Sequence, residues 1–194
     1  MFYIFTIIIC MALIVCGNVM WFPKVLAFGT WDYVLWTSVC TLSVIVIDGI
    51  FATIVRRLLP SKWFSADKTA FKAGKKECRF YEKIGIKKWK DKVIELGAFT
   101  SFRKNKIYEP NSAEYIERYI IEANFGIVCH LAGIIFGFIA VFCCPKALWL
   151  SIGLPVVLVN VVLSALPTFI LRYNLPKLHV LYKFNLNKKN KKKN

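Results

Sequence analysis

Four stretches of the chain are long and apolar enough to cross a lipid bilayer, and they restrict the possible folds more than any other feature. A spanning helix needs about 20 mostly apolar residues to cross about 30 Å of hydrocarbon. The stretches cover residues 2–21, 31–55, 120–144 and 147–171. They predict an all-α integral membrane protein with four transmembrane helices arranged as two hairpins. The first stretch has no basic residues before it and is long, which favours a membrane anchor over a cleaved signal peptide.

The composition excludes other broad classes of protein. Hydrophobic side chains make up 57% of the 194 residues and charged ones only 20%, which is unlike both a soluble enzyme and a disordered chain. The seven cysteines are odd in number, and most lie inside the apolar stretches, where a thiol behaves as a small hydrophobic group. Their spacing predicts neither a disulfide framework nor a metal site, and the sequence contains no nucleotide-binding loop or serine-hydrolase motif.

The basic residues predict the orientation in the membrane. The net charge is +16, and of the 27 Lys and Arg residues 17 lie in residues 56–119 and eight after Leu171, which leaves only Lys24 and Lys146. Cytoplasmic segments carry such an excess. The chain is therefore predicted to lie in the cell membrane with both termini in the cytoplasm. Its four regions are a first hairpin (1–55), a basic insert (56–119), a second hairpin (120–171) and a polybasic tail (172–194).

The insert alternates aromatic or aliphatic side chains with lysine and arginine from Lys62 to Lys106. This pattern is typical of one or two amphipathic helices lying on a membrane surface, so anionic membrane lipid is a predicted partner and nucleic acid is not. Ser112 reads as the N-cap of a helix that runs directly into the third span. The last residues, 187–194, are predicted to be disordered, and His179 is predicted to lie at the surface or against lipid headgroups.

Polar residues inside spans are costly and often functional. At 1.5 Å per residue, Asp48, His130 and Asn160 lie about 12, 15 and 18 Å from the cytoplasmic end of their spans, so they could meet. Asp48 could then orient His130 as a general base for a hydroxyl group, or the same residues could only hold helices together by hydrogen bonds. Glu122 is too far from His130 to touch it. It is either a second acidic site residue or the partner of a basic side chain at the interface.

Several short blocks occur in an order that resembles a known family. They are Leu59-Pro60-Ser61-Lys62-Trp63-Phe64, the segment Phe80 to Lys92 with Lys88-Trp89-Lys90, the pair Ile121-Glu122 followed by His130, and Arg172-Tyr173-Asn174-Leu175-Pro176-Lys177. Over residues 55–180 the chain resembles the glycosyl-4,4'-diaponeurosporenoate acyltransferases. The resemblance implies that a fatty acyl chain is esterified onto the sugar of a glycosylated carotenoid.

The resemblance also implies site residues and partners. The substrates would be two lipids, an acyl donor and a glycolipid acceptor, and no cofactor or metal is implied. His130, Asp48 and Glu122 would be catalytic. The substrate-binding residues would be Trp89, Lys90, Arg172, Tyr173, Asn174 and Asn160. Of these, Arg172 and the block Lys88-Trp89-Lys90 would hold an anionic group of the donor.

The chain also departs from the family pattern. Phe125-Gly126-Ile127 replaces an Arg-Ala-Glu group that usually follows the acid at position 122, and Leu171 replaces a Gln. The acid that usually precedes the tyrosine block has Glu77 as its only counterpart. A second hypothesis is therefore a non-catalytic membrane protein that binds anionic lipid or a partner through its basic insert and tail.

Overall fold

The computed structural model describes residues 2–21, 28–68, 70–93 and 107–191, and all regular structure among them is helical. Four helical segments are long and apolar enough to span a membrane: Ile4–Trp21, Thr30–Leu58, Ala113–Cys143 and Lys146–Lys191. This confirms the prediction of an all-α protein with four span-length helices. The α-helices are α1 (Phe2–Trp21), α2 (Thr30–Leu58), α3 (Lys75–Lys83), α4 (Ile86–Trp89), α5 (Ala113–Phe136) and α6 (Leu154–Lys191).

The start of α5 follows the local sequence. The backbone N–H of Tyr115 donates to Ser112 Oγ at 3.1 Å, so Ser112 is the N-cap, and Glu114 lies in the first turn near the positive end of the helix dipole. From there α5 continues without interruption into the third apolar stretch. The predicted N-cap at Ser112 and the predicted continuation of this helix into the third apolar stretch are both confirmed.

Regular α-helix is interrupted between α5 and α6. The chain forms a 3₁₀ segment over Gly137–Cys143, a short turn over Lys146–Leu148 and a π-helical turn over Trp149–Gly153. Pro145 has no backbone N–H to donate. Gly153 packs so closely on Val141 that a Cβ at this glycine would lie 3.2 Å from Val141 Cα. The fourth apolar stretch therefore begins as tight turns, and α6 begins only at Leu154.

Helix α6 is much longer than the predicted span. Its 38 residues would extend about 57 Å at 1.5 Å each, nearly twice the thickness of the hydrocarbon. The prediction of disorder from residue 187 is wrong as far as Lys191, because the helix continues to that residue. Two contacts hold this end: Asn185 Nδ2 donates to the Pro110 carbonyl at 2.8 Å, and Lys189 pairs with Glu114.

The chain divides into two compact units, which we describe separately. The first unit comprises Met1–Thr53 and Cys129–Ala165. Its core consists of Tyr33, Cys40, Val44, Ala140, Cys144, Leu148, Ile152, Val156 and Val157. Asn18 Nδ2 donates to the Ser151 carbonyl at 2.9 Å, which attaches α1 to the π-helical turn. Phe51 stacks on Phe136 with ring centroids 3.9 Å apart.

The second unit comprises Ile54–Val128 and Leu166–Asn194 and contains the basic insert. The insert forms a 3₁₀ turn at Ser61–Phe64 and the short helices α3 and α4, where one or two helices on the membrane surface were predicted; residues 94–106 lie outside the described residues. Their location on the membrane surface stays a prediction. Gly85 joins α3 to α4 at a φ of 70°, a left-handed conformation that favours glycine. Tyr81 and Ile86 of the insert are buried against Ile170 and Tyr173 of α6.

Candidate functional site

Two glycines of the third span make room for polar side chains in the first unit. A Cβ on Gly133 would lie 2.8 Å from Asp48 Oδ1, and a Cβ on Gly137 would lie 2.7 Å from Asn160 Nδ2. Asn160 Nδ2 also donates to the Gly133 carbonyl at 3.2 Å, and its side chain is in hydrogen-bonding contact with the Asp48 carboxyl group. We call Asp48, Gly133, Gly137 and Asn160 the span polar cluster. The predicted meeting of Asp48 and Asn160 is present.

His130 precedes Gly133 by one turn of α5 and is half-buried. Among the described residues, no hydrogen bond or ion pair joins His130 to Asp48, whose carboxyl group faces Asn160 and Gly133 instead. Asp48 Oδ1 is buried and accepts no hydrogen bond within the described part of the chain. Within the described ranges, the structure therefore shows neither the predicted Asp48–His130 pair nor an ion pair of the imidazole with another side chain.

Glu122 belongs to the second unit, where it accepts a hydrogen bond from Arg56 Nη2 at 3.0 Å. Both side chains are partly exposed, at 32% for Glu122 and 50% for Arg56. The sequence left open an ion pair with a basic side chain as the alternative to a catalytic role, and that ion pair is present. Arg56 also lies 6.0 Å from the centroid of the Phe125 ring.

Phe125, Gly126 and Ile127 lie on α5 in the second unit, where Phe125 and Ile127 are buried and Gly126 is half-buried. Phe125 stacks on Phe64 with ring centroids 3.9 Å apart, and Ile127 is buried. A Cβ on Gly126 would lie 3.0 Å from Leu171 Cδ1. Next to them, Asn124 Nδ2 donates to the Phe64 carbonyl at 2.8 Å. Phe125 therefore forms an apolar contact between α5 and the start of the insert, and Gly126 lies against Leu171 of α6.

Arg172 is bound by an acid of the insert. Its Nε and Nη2 atoms donate to the two oxygens of Glu77 at 2.5 and 2.8 Å, and the Tyr81 hydroxyl donates to the same carboxylate. We call Glu77, Tyr81 and Arg172 the Glu77 cluster. The guanidinium holds the pKa of the Glu77 carboxyl below its ordinary value against the opposing effect of burial. Burial, followed by the bond to Glu77, raises the pKa of Tyr81.

This arrangement identifies the acid that pairs with Arg172. Glu77 is the acid that partners the tyrosine and arginine blocks, although it lies 95 residues from Arg172 in the chain. Two donors of the Arg172 guanidinium are bound to Glu77, so a role of Arg172 in holding an anionic donor group stays a prediction. Arg172 joins the insert to α6.

The remaining predicted binding residues lie near the same joint. The Tyr173 hydroxyl donates to Glu82 at 3.2 Å, Glu82 pairs with Lys87 at 2.9 Å, and Lys177 lies 4.4 Å from the Tyr173 ring centroid. The Trp89 indole donates to the Ile84 carbonyl at 3.0 Å. Lys90 and Asn174 are half-buried in the same unit. The blocks around Trp89 and Tyr173, far apart in sequence, are thus brought together.

His179 was not predicted as a site residue, and the expectation that it is exposed is wrong. It is only 5% exposed, and its Nε2 atom is buried without a hydrogen-bond partner among the described residues. The charged groups near the ring are Lys72, Lys183 and Asp67. A signal was present in the sequence: a helix continued past Leu171 places His179 on the same face as Leu175 and Tyr182.

The four span-length apolar helices define the chain as a helical, multi-pass membrane protein by length and composition. The family model described as glycosyl-4,4'-diaponeurosporenoate acyltransferase matches residues 60–183, which is more than half of the chain. The chain therefore belongs to this acyltransferase family of carotenoid biosynthesis, as the resemblance predicted. No curated protein and no solved structure matches the chain.

Proposed function

We propose that this protein is a membrane acyltransferase that esterifies a fatty acyl chain onto a hydroxyl of a glycolipid-type acceptor such as a glycosylated carotenoid. The family match over residues 60–183 is the observation that carries the proposal. The four apolar helices are compatible with it, because both substrates are lipids and can reach a membrane site without being extracted into water.

His130 is our candidate for the general base. Its imidazole is half-buried in an apolar helix and forms no ion pair within the described part of the chain, so a neutral ring is available to accept a proton. In the proposed step, His130 takes the proton of the acceptor hydroxyl while the hydroxyl oxygen attacks the acyl carbonyl. The bond from the carbonyl to the donor's leaving group breaks, and that group takes the proton from the imidazolium.

The other predicted site residues have more specific roles in this proposal. Asp48 and Asn160, as members of the span polar cluster, hold the backbone next to His130 and offer Asp48 Oδ1 to a substrate hydroxyl. Glu122 and Arg172 are positioning residues through Arg56 and Glu77. Trp89, Lys90, Tyr173 and Asn174 remain the proposed substrate-binding residues of the second unit.

The proposed orientation has both termini and the basic insert in the cytoplasm, and it rests on the distribution of lysine and arginine. Residues 56–119 and the segment after Leu171 hold 17 and eight of the 27 basic residues. This excess next to the spans is typical of cytoplasmic segments.

The test of the proposed base compares His130→Gln with wild type in cells that make the glycolipid acceptor. We expect His130→Gln to reduce acylated product per molecule of protein by at least about 100-fold, the usual size of general-base catalysis. Protein abundance in the membrane is measured in parallel, and Ile135→Ala, at an exposed position of the same helix, is the control. Unchanged product per molecule in His130→Gln would remove this residue from the mechanism.

A second candidate function is non-catalytic binding of anionic lipid, which a specific surface favours. Trp63 and Phe80 of the insert are 55% and 52% exposed and lie in a segment rich in lysine. If lipid binding is the whole function, replacing Lys75, Lys76, Arg79 and Lys83 by Gln should abolish the effect of the protein on the cell's lipids. His130→Gln should leave that effect unchanged. Loss of that effect in His130→Gln, but not in the variant with the four basic residues replaced, supports the acyltransferase.

A further inference from the structure

The second unit contains a buried imidazole whose environment is suited to an anion. His179 lies on α6, is 5% exposed, and has a buried Nε2 atom without a partner among the described residues. A buried polar atom of this kind normally has a hydrogen-bond partner, so a bound group is a natural explanation. None of the catalytic or binding roles described above uses this side chain.

The charges near the ring determine which group fits. Lys183 is one turn further along α6, and Lys72 follows Phe71, which packs against the core cluster that contains Leu178 beside His179. Asp67 is the opposing negative charge and is exposed. Lys72 is half-buried, which is unusual for a lysine that has only solvent as its partner. Two ammonium groups and one ring N–H are donors suited to the oxygens of a phosphate group.

The geometry points to a phosphate-binding site formed by His179, Lys72 and Lys183. The phosphate belongs to the acyl donor, and in this respect alone the inference rests on the proposed function. It also replaces Arg172, which Glu77 occupies, as the residue that holds the donor's anionic group. Two donor chemistries carry such a phosphate: a nucleotide thioester and a phospholipid.

The chain allows a direct measurement, because it contains only two histidines. The full-length protein, labelled with ¹⁵N-histidine and held in zwitterionic detergent micelles, gives side-chain nitrogen signals from His179 and His130, which the spectrum of His130→Gln assigns. Inorganic phosphate, adenosine 3',5'-bisphosphate and dihexanoyl phosphatidic acid are titrated separately. We expect a saturable shift of the His179 signal while the His130 signal stays in place.

Charge variants at the surface of the site test the arrangement without disturbing the buried ring. Lys72→Gln and Lys183→Gln should each weaken binding about tenfold, as expected for the loss of one charge-assisted hydrogen bond, and Asp67→Asn should strengthen it. Lys188→Gln, an exposed position on the same helix, is the matched control. Tighter binding of the bisphosphate identifies a nucleotide donor, and tighter binding of the phosphatidic acid identifies a lipid donor.

Three results would overturn the inference: no shift of the His179 signal with any of the three probes, an equal shift of both histidines, or the same affinity in Lys72→Gln and wild type. The experiment involves no turnover. Phosphate binding without acyl transfer would therefore contradict only the proposed function, whereas acyl transfer without binding at His179 would contradict only this inference.

Discussion

Single residues of the first unit show how a span accommodates polar groups. Asp48 and Asn160 both have short side chains, and each lies beside a glycine of the third span. A carboxyl group left alone in hydrocarbon would be costly. The hydrogen-bonding contact with the Asn160 amide and the space beside Gly133 reduce this free-energy cost for Asp48. The two glycines, spaced four residues apart, thus allow close packing against the third span. The groups that pack against them include the polar side chains of Asp48 and Asn160.

Gly133→Ala and Gly137→Ala are therefore expected to destabilise the protein by about 1–3 kcal/mol each, the usual range for overpacking. The new Cβ atoms would lie 2.8 Å from Asp48 Oδ1 and 2.7 Å from Asn160 Nδ2, closer than side chains tolerate. Thermal unfolding in detergent measures the effect. Gly49→Ala is the control, since nothing among the described residues lies within 4 Å of its Cβ and alanine favours a helix. Equal melting temperatures for all three variants would contradict this packing.

In the second unit, Glu77 is the residue on which the joint between insert and α6 depends. Glu77→Gln removes a bidentate ion pair whose side chains are only 28% and 23% exposed, and we expect a loss of about 2 kcal/mol. Arg172 holds the pKa of Glu77 below its ordinary value, so the carboxylate stabilises the fold above about pH 4, and this contribution is lost as the pH falls through the lowered pKa.

The measurement is the melting temperature of wild type and Glu77→Gln as a function of pH. The difference should be constant above about pH 5 and shrink as the pH falls through the lowered pKa of Glu77. Glu109→Gln, an exposed glutamate before α5, is the control and should match wild type throughout. A difference between wild type and Glu77→Gln that does not change with pH would show that the charge of Glu77 is not what stabilises the joint.

Among the elements, α6 differs most from what the sequence suggested. A lysine-rich end normally favours disorder, because like charges repel and few apolar side chains are available to bury. Here Leu175, Leu178, His179 and Asn185 continue the buried face of the helix. The hydrogen bond from Asn185 to Pro110 then attaches its last turns within the second unit.

Amide hydrogen exchange tests this extension of α6. We expect residues 177–186 to exchange slowly in the full-length protein, and Asn185→Ala to speed their exchange about tenfold by removing the bond to Pro110. Asn190→Ala, at an exposed position of the same helix, should leave the rates unchanged. Exchange at the rate of an unstructured chain from residue 177 onward would contradict the extended helix.

The elements also show how far sequence reasoning reaches. Apolar length and the Ser112 cap predicted the spans and the start of α5, because these depend on local composition and on short-range hydrogen bonds. The partner of Arg172 could not be predicted, since Glu77 lies 95 residues away in the chain. The rotation of each helix about its axis decides which side chains meet, and the sequence does not give that rotation. Among the described residues, no hydrogen bond or ion pair joins Asp48 to His130. The length of a span predicts the depth of a residue along the helix, but it does not predict the rotation that decides which side chains meet.

At the scale of the whole molecule, the orientation can be tested by cysteine labelling. In a variant without the seven native cysteines, Lys68→Cys and Lys146→Cys are introduced one at a time at exposed positions. We expect Lys146→Cys in intact cells to react with a membrane-impermeant maleimide, and Lys68→Cys to react only after the membrane is permeabilised. The reverse pattern would contradict the proposed cytoplasmic location of the insert.

The most direct test of the proposed activity is a mass-spectrometric comparison of lipid extracts. Cells that make a glycosylated carotenoid are grown with no copy of the gene, with wild type or with His130→Gln. The account predicts that only wild type converts the glycoside into a species heavier by one esterified acyl chain. Identical extracts from cells with and without the wild-type protein, at confirmed membrane abundance, would contradict the assignment of acyl transfer to this chain.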